Sequence, residues 1–213
     1  MSKQAILKTL HYADIFHYPL EIDEIYKYLV EPLAADVLEG VLAQMTADKE
    51  LICADSYYCL PGREGIIELR KRREVYSRSK IKKAKRVASI LKFIPWIKLI
   101  GVTGALAVEN SEEGDDIDLM IVTASQRLWL TRGLVVSFLL LTRQYRRPGK
   151  IKDKICPNLM LSEEALEFSD HDLFTAHEIV QMKPIYDRGN TYQKFLQANS
   201  WIKDFLPNWR QDV

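Results

Sequence analysis

Cysteine is scarce in this 213-residue chain. Cys53, Cys59 and Cys156 are odd in number and form no Cys-x-x-Cys pair. That excludes a disulfide scaffold and a multi-cysteine zinc site, and it suits a reducing, cytoplasmic setting. Glycine numbers only nine, and no kinase-type Gly-rich loop, Walker A sequence or Gly-x-Ser-x-Gly elbow is present. No apolar run approaches the ~20 residues of a membrane-spanning helix. The longest, 133–141, has nine residues between Arg132 and Arg143, and it predicts a buried core helix and no membrane association. His11, Asp14 and His17 interrupt the apolar stretch that a signal peptide requires, so secretion is not expected. Net charge is nearly absent, 30 basic against 29 acidic residues, and gives no reason to expect nucleic acid. No repeat or low-complexity stretch occurs.

What is present is a chain that is 47% apolar, enough for a real core and one large or two small domains. The balanced charge conceals a pattern. Residues 1–62 hold 4 basic and 10 acidic residues, 63–100 hold 13 and 3, and 101–213 hold 13 and 16. Such asymmetry marks module boundaries at 1–62, 63–95 and 96–213.

In the acidic head, Ile6, Leu7, Leu10, Ala13 and Phe16 predict a helix over 3–16. Pro19 stops it. Ile22, Ile25, Tyr26 and Leu29 predict a second helix over 21–30, and Val37, Leu38, Val41, Leu42 and Met45 a third over 34–48. Two β-prone runs, 51–54 and 57–60, flank Asp55-Ser56 and predict a hairpin. Three helices and a hairpin make the layout of a winged helix-turn-helix. The third helix argues against DNA reading, because it has no Lys or Arg and carries Asp36, Glu39 and Asp48. A protein-contact or packing module is the expectation.

The basic middle, 64–92, threads Ile66, Ile67, Leu69, Val75, Ile81, Ala84, Val87, Ala88 and Leu91 among its cations, so a helix with one narrow buried stripe is predicted. Its outer face is either a solvated surface or an attractor of phosphates.

A buried strand over 96–102 follows and runs into Thr103-Gly104-Ala105. The acidic stretch 109–115 leads into Asp116-Ile117-Asp118-Leu119, the start of a second strand. At i, i+2 on a strand, Asp116 and Asp118 share a face. Two adjacent carboxylates repel, and a divalent cation, which takes hard oxygen ligands, relieves the repulsion. Such a pair can hold Mg²⁺ against a triphosphate. Gly104 after the first strand lets phosphate approach the backbone, and a helix N-terminus behind it offers N–H groups.

Strand, Thr103-Gly104-Ala105, ten intervening residues, then Asp116-Ile117-Asp118-Leu119 resembles the nucleotidyltransferase superfamily typified by DNA polymerase beta. The resemblance spans 97–123. It implies that Asp116 and Asp118 are the catalytic metal ligands for Mg²⁺. It implies that Thr103, Gly104 and Ala105 face the phosphates of an NTP, with ATP the expected donor. A winged-helix head before a minimal transferase core is also similar to prokaryotic nucleotidyltransferase-domain proteins. Two departures stand out. The family has Ser or Gly where Ala105 stands, and active members carry a third carboxylate on a later strand. That strand here, 154–161, holds no acid, only Asn158, with Asp153 before it and Glu163 and Glu164 after it.

Ser125 reads as the N-cap of a helix over about 126–145, ending near Arg143, Arg146 and Arg147. Further helices are predicted over 170–182 and 191–205, with a break at 182–186. His177 next to Glu178 has poor metal geometry and reads as structural. The fold class expected is α/β in the α+β sense: a small mixed-sheet core preceded by a winged helix-turn-helix module. The function expected is Mg²⁺-dependent transfer of AMP from ATP to a hydroxyl of a small molecule, a protein or an RNA, with a protein partner or a homodimer supplying further surface. Lys98 or a cation of 63–92 would neutralise phosphate. The alternatives are a nucleotide-binding or protein-interaction module without turnover, and a DNA-binding regulator.

Overall fold

The computed structural model describes residues 2–211. The fold is α+β, and the chain divides into two compact units that are not collinear with the sequence. One gathers the chain up to Arg72, His171–Val180 and the chain from Trp201 onward; the other gathers Arg73–Asp170 and Gln181–Ser200. Within 96–213, His171–Val180 and the chain from Trp201 onward fall in the first unit.

In the first unit, α1 (Ser2–Ile15), α2 (Ile22–Tyr28) and α3 (Ala35–Ala47) bury Ile6, Leu10, Ile25, Leu38, Leu42 and Met45. The strands β1 (Ile52–Ala54) and β2 (Tyr57–Cys59) pair antiparallel. Asp55 and Ser56 both take positive φ, the geometry that matches a two-residue turn to strand twist. Leu20 bridges Tyr58 beside this hairpin. Arg70 is buried and satisfied, donating to the Pro19 carbonyl and to both oxygens of Glu24. His177 stacks on Tyr12 at 4.3 Å between ring centres, and Asn208 brackets the backbone of Leu33 from both sides.

The second unit is built on a four-stranded sheet of β3 (Ile97–Val102), β4 (Ile117–Thr123), β5 (Ile155–Ser162) and β6 (Lys183–Asp187), in the order β5-β4-β3-β6. β4 runs antiparallel to β3 and parallel to β5, so the sheet is mixed, as expected. Helix α4 (Gly65–Leu91) contributes Ala84, Val87, Ala88 and Leu91 to the core of this unit, beside Ile100, Leu119 and Ile121 of the strands. A four-residue turn of helix, α5 (Gly104–Ala107), follows β3, and α6 (Leu128–Leu141) follows β4. In chain order, α7 (Leu173–Gln181), almost all of it in the first unit, precedes β6; α8 (Thr191–Ala198) follows β6, and a short 3-10 turn, Ser200–Asp204, leads back into the first unit.

The break expected at 182–186 does end α7, at Gln181, and the residues beyond it form β6, an edge strand that tolerates Pro184. Three expectations are corrected. The run 191–205 is a helix and a separate 3-10 turn, with Asn199 buried at the junction and bonded to Phe168 N and Leu166 O. Ser125 caps no helix: α6 begins at Leu128, while Ser125 N donates to Glu163 Oε1 and its hydroxyl pairs with Glu164. Of the run 133–141 only Val135 and Leu139 are fully buried, and Leu141 is 85% exposed, so α6 is a half-buried surface helix. Among the described residues, no helix is long and apolar enough to cross a membrane.

Candidate functional site

The ends of three neighbouring strands meet at one place. β3 ends at Val102, opposite Leu119, and Thr103 N donates to the Asp118 carbonyl at 3.2 Å. On the other side, Asp118 stands in register with Cys156 of β5. The carboxylates of Asp116 and Asp118 and the thiol of Cys156 therefore converge, with ligand atoms all within 4.8 Å of one another. Gly104 has a φ of +62°, and a Cβ placed on it would stand 3.7 Å from Asp118 Oδ2. A residue with a side chain would be strained there, and its first carbon would lie against the carboxylate.

The loop that delivers Asp116 is fastened by α4. Ser111 N donates to Ser77 Oγ at 3.2 Å, and Arg73 reaches the Asn110 side chain and the Glu112 carboxylate. The Lys80 ammonium is buried and donates to the carbonyls of Glu112 (2.5 Å) and Asp115 (2.7 Å). Lys83 donates to the Asp153 carbonyl, while Asp153 N donates to the Asp115 carbonyl. Burial pushes both lysine pKa values down. These cations were legible only as a basic stripe; their work is to donate to backbone carbonyls of the loops around Asp116 and Asp153.

The electrostatics of the cluster follow from crowding. Burial, then the charge of Asp116, raises the carboxyl pKa of Asp118. Burial, then Asp118, pushes the Cys156 thiol up to about 11. Asp116 Oδ2 is shielded from solvent and accepts no hydrogen bond of good geometry. The Arg146 Nε stands 2.9 Å from it as an ion-pair partner, which raises the guanidinium pKa. Two hard carboxylates, one with an oxygen lacking a hydrogen bond, fit a divalent cation; the thiol adds a softer donor.

The other candidates lie elsewhere. Thr103 is buried and precedes α5 without a side-chain capping bond, and Ala105 is exposed one residue beyond Gly104. With only four residues, α5 is too short to act as an anion-binding helix end. Lys98 lies at the opposite end of β3, near Glu163. Asn158 is exposed where the pairing of β4 with β5 shifts register. Asp153, Glu163 and Glu164 stand outside the cluster, engaged with Lys80, Lys98 and Ser125 respectively. His177 belongs to the first unit, where burial lowers its pKa to about 4. Arg146 and Cys156 were missed as site residues. Arg146 reads from sequence as the end of a helix that in fact stops at Leu141. Cys156 becomes visible only once the register of β5 against β4 is known.

No protein-family model matches the chain, and no curated protein matches it in sequence. Among solved structures, one described as "Crystal structure of the toxin-antitoxin with AMP-PNP" aligns with 59% of this chain and 83% of that one, at 17% identity and a TM-score of 0.34. A likeness of that size carries no argument about function.

Proposed function

We propose that the second unit is a nucleotidyltransferase core that moves a nucleoside monophosphate, AMP from ATP, to an acceptor hydroxyl with Mg²⁺. The observation that supports this most is the convergence of Asp116 and Asp118 at the start of β4, beside a left-handed Gly104 at the end of β3. Asp116 and Asp118 would hold the cation, which when bound offsets the charge of the phosphates. Gly104 leaves its backbone open toward them, with Thr103 and Ala105 on either side. Arg146 sits where a second cation assists in neutralising phosphate charge. Phosphoryl transfer draws mainly on such positioning and charge stabilisation. A thiol with a pKa of about 11 stays protonated at neutral pH, so Cys156 is not the base that takes the acceptor proton. The three helices and hairpin of the head are read as a winged-helix-like module that contacts a protein partner or a second copy of the chain.

A second reading is a nucleotide-binding module without turnover. A β5 without the acid that the family resemblance implies on that strand, and Ala105 in place of a hydroxyl or glycine, favour it. Calorimetry of ATP with and without Mg²⁺ tests both. Mg²⁺-dependent binding that the Asp116→Ala/Asp118→Ala double variant loses supports the site, and labelled-AMP transfer to acceptor then separates turnover from binding. A wild-type protein that binds no NTP overturns both readings.

A further inference from the structure

Beyond the end of α6, the segment 142–154 carries Arg143, Arg146, Arg147, Lys150, Lys152 and Lys154 against the single acid Asp153. Arg146 pairs with Asp116 and Lys152 with Glu113. Arg143, Arg147, Lys150 and Lys154 have no carboxylate partner among the described residues. They surround a concavity of about 270 Å³ together with Leu140 and Tyr145. The Lys154 ammonium donates to the Arg143 carbonyl at 2.8 Å, which closes one wall.

The geometry works against the charges. Arg147 and Lys150 bridge each other as an antiparallel pair around Pro148-Gly149, with backbone bonds in both directions. Like charges directly opposite on paired strands are destabilising. Arg143, at a φ of +58°, is the left-handed residue that ends α6 and turns the chain into this segment. Lys154 is held by the Arg143 carbonyl, while Arg143, Arg147 and Lys150 gather beside it with no ion pair among the described residues to offset their charge. An anion relieves the repulsion. One phosphate ion is too small a counter-charge and too small a body for this space, whereas a phosphate chain supplies both. The half-buried Tyr145 ring and Leu140 add the apolar surface on which bases rest in single-strand binders.

We propose that this basic concavity holds the phosphodiester backbone of a single-stranded oligonucleotide. The binding makes no use of Asp116 or Asp118 and stands independently of the transfer chemistry. The parallel bridge between Tyr145 and Ile155 fixes the concavity to the edge of the sheet, one residue from the partner of Asp118.

The test is fluorescence anisotropy of labelled U12 and dT12 strands over a NaCl series, using the full chain. Two triple variants of equal charge loss are compared. Arg143→Ala/Arg147→Ala/Lys150→Ala removes exposed pocket cations. Arg78→Ala/Lys82→Ala/Lys85→Ala removes exposed cations of α4. The expected result is that wild type and the α4 variant bind alike. The pocket variant should lose at least tenfold in affinity, and its log-log salt slope should shrink by about 2, the share of three phosphate contacts on a single strand. RNA against DNA affinity tells which sugar is preferred. Circular dichroism melts confirm that both variants fold. Mg²⁺-dependent ATP binding, measured on the pocket variant, reports separately on the nucleotide site. The proposal is overturned by equal losses in the two variants, by a pocket variant within twofold of wild type, by wild-type binding to neither strand, or by binding that inorganic phosphate, poly-glutamate or anionic vesicles displace as readily as an oligonucleotide does.

Discussion

Two stretches of this chain are equally basic to the eye, and the fold uses them in opposite ways. In α4, Arg73, Lys80 and Lys83 point inward. Lys80 has a side chain only 2% exposed, and its donors complete the carbonyls of Glu112 and Asp115. In 142–154, Arg143, Arg147 and Lys150 stay exposed around a concavity. The first set positions the loop that carries Asp116. The second offers charge to something outside the chain. Charge density in a sequence therefore says little about function until burial divides the cations into those that hold the backbone and those that face solvent.

Removing one inward cation gives the sharpest break in that comparison. Lys80→Ala removes one donor each from the Glu112 and Asp115 carbonyls and leaves a cavity where a side chain only 2% exposed had packed, so a loss of about 3 kcal/mol in urea unfolding is expected. Mg²⁺-dependent ATP binding should weaken with it, since the loop before β4 loses its fastening. Lys82→Ala, exposed on the same helix, is the control and should unfold like wild type. A Lys80→Ala protein as stable as wild type would mean that the inward cations are not structural.

His177 provides the middle case, a titratable group buried in its neutral form between Tyr12 and Tyr28. Its folded pKa of about 4 lies below the ordinary 6.5. The unfolded chain therefore binds the proton first as pH falls. Stability from this residue is complete above pH 6.5 and declines progressively toward pH 4, by at most about 3 kcal/mol. His177→Phe should flatten that acid limb of the stability-pH curve, and an unchanged limb would refute the assignment.

The smallest effect is expected at the outward set. Arg143→Ala/Arg147→Ala/Lys150→Ala should change unfolding free energy by no more than about 0.5 kcal/mol, with a gain where repulsion is relieved. A loss comparable to that of Lys80→Ala would erase the distinction between the two stretches.

Part of this contrast was readable beforehand. The three helices of the head, the hairpin and the four-stranded sheet's first three members were legible because period-2 and period-3.6 apolar patterns report burial directly. β6 was hidden because Pro184 resembles a breaker unless the strand is known to lie at an edge. The length of α6 was overestimated because no proline or glycine interrupts the chain between Leu141 and Pro148, although the helix stops at Leu141, where no core remains to receive it. At the site, the i, i+2 spacing placed Asp116 and Asp118 on one face, and the glycine after β3 marked the approach. Cys156 and Arg146 were beyond reach, since each is defined by a partner 38 or 30 residues away in the chain.

The sequence by itself determined the local choices: which segments become helices or strands, that Asp116 and Asp118 fall together, and that the chain needs glycine at 104. Those depend on neighbours within a few residues, whose spacing is written in order along the chain. Only the tertiary structure decided what stands beside them. The register of β5 against β4 put a thiol next to Asp118, the burial of α4 turned basic residues into backbone donors, and the loop before β4 brought Asp116 against Arg146. Each is a long-range packing outcome, fixed by which apolar faces bury each other rather than by any residue's own preference.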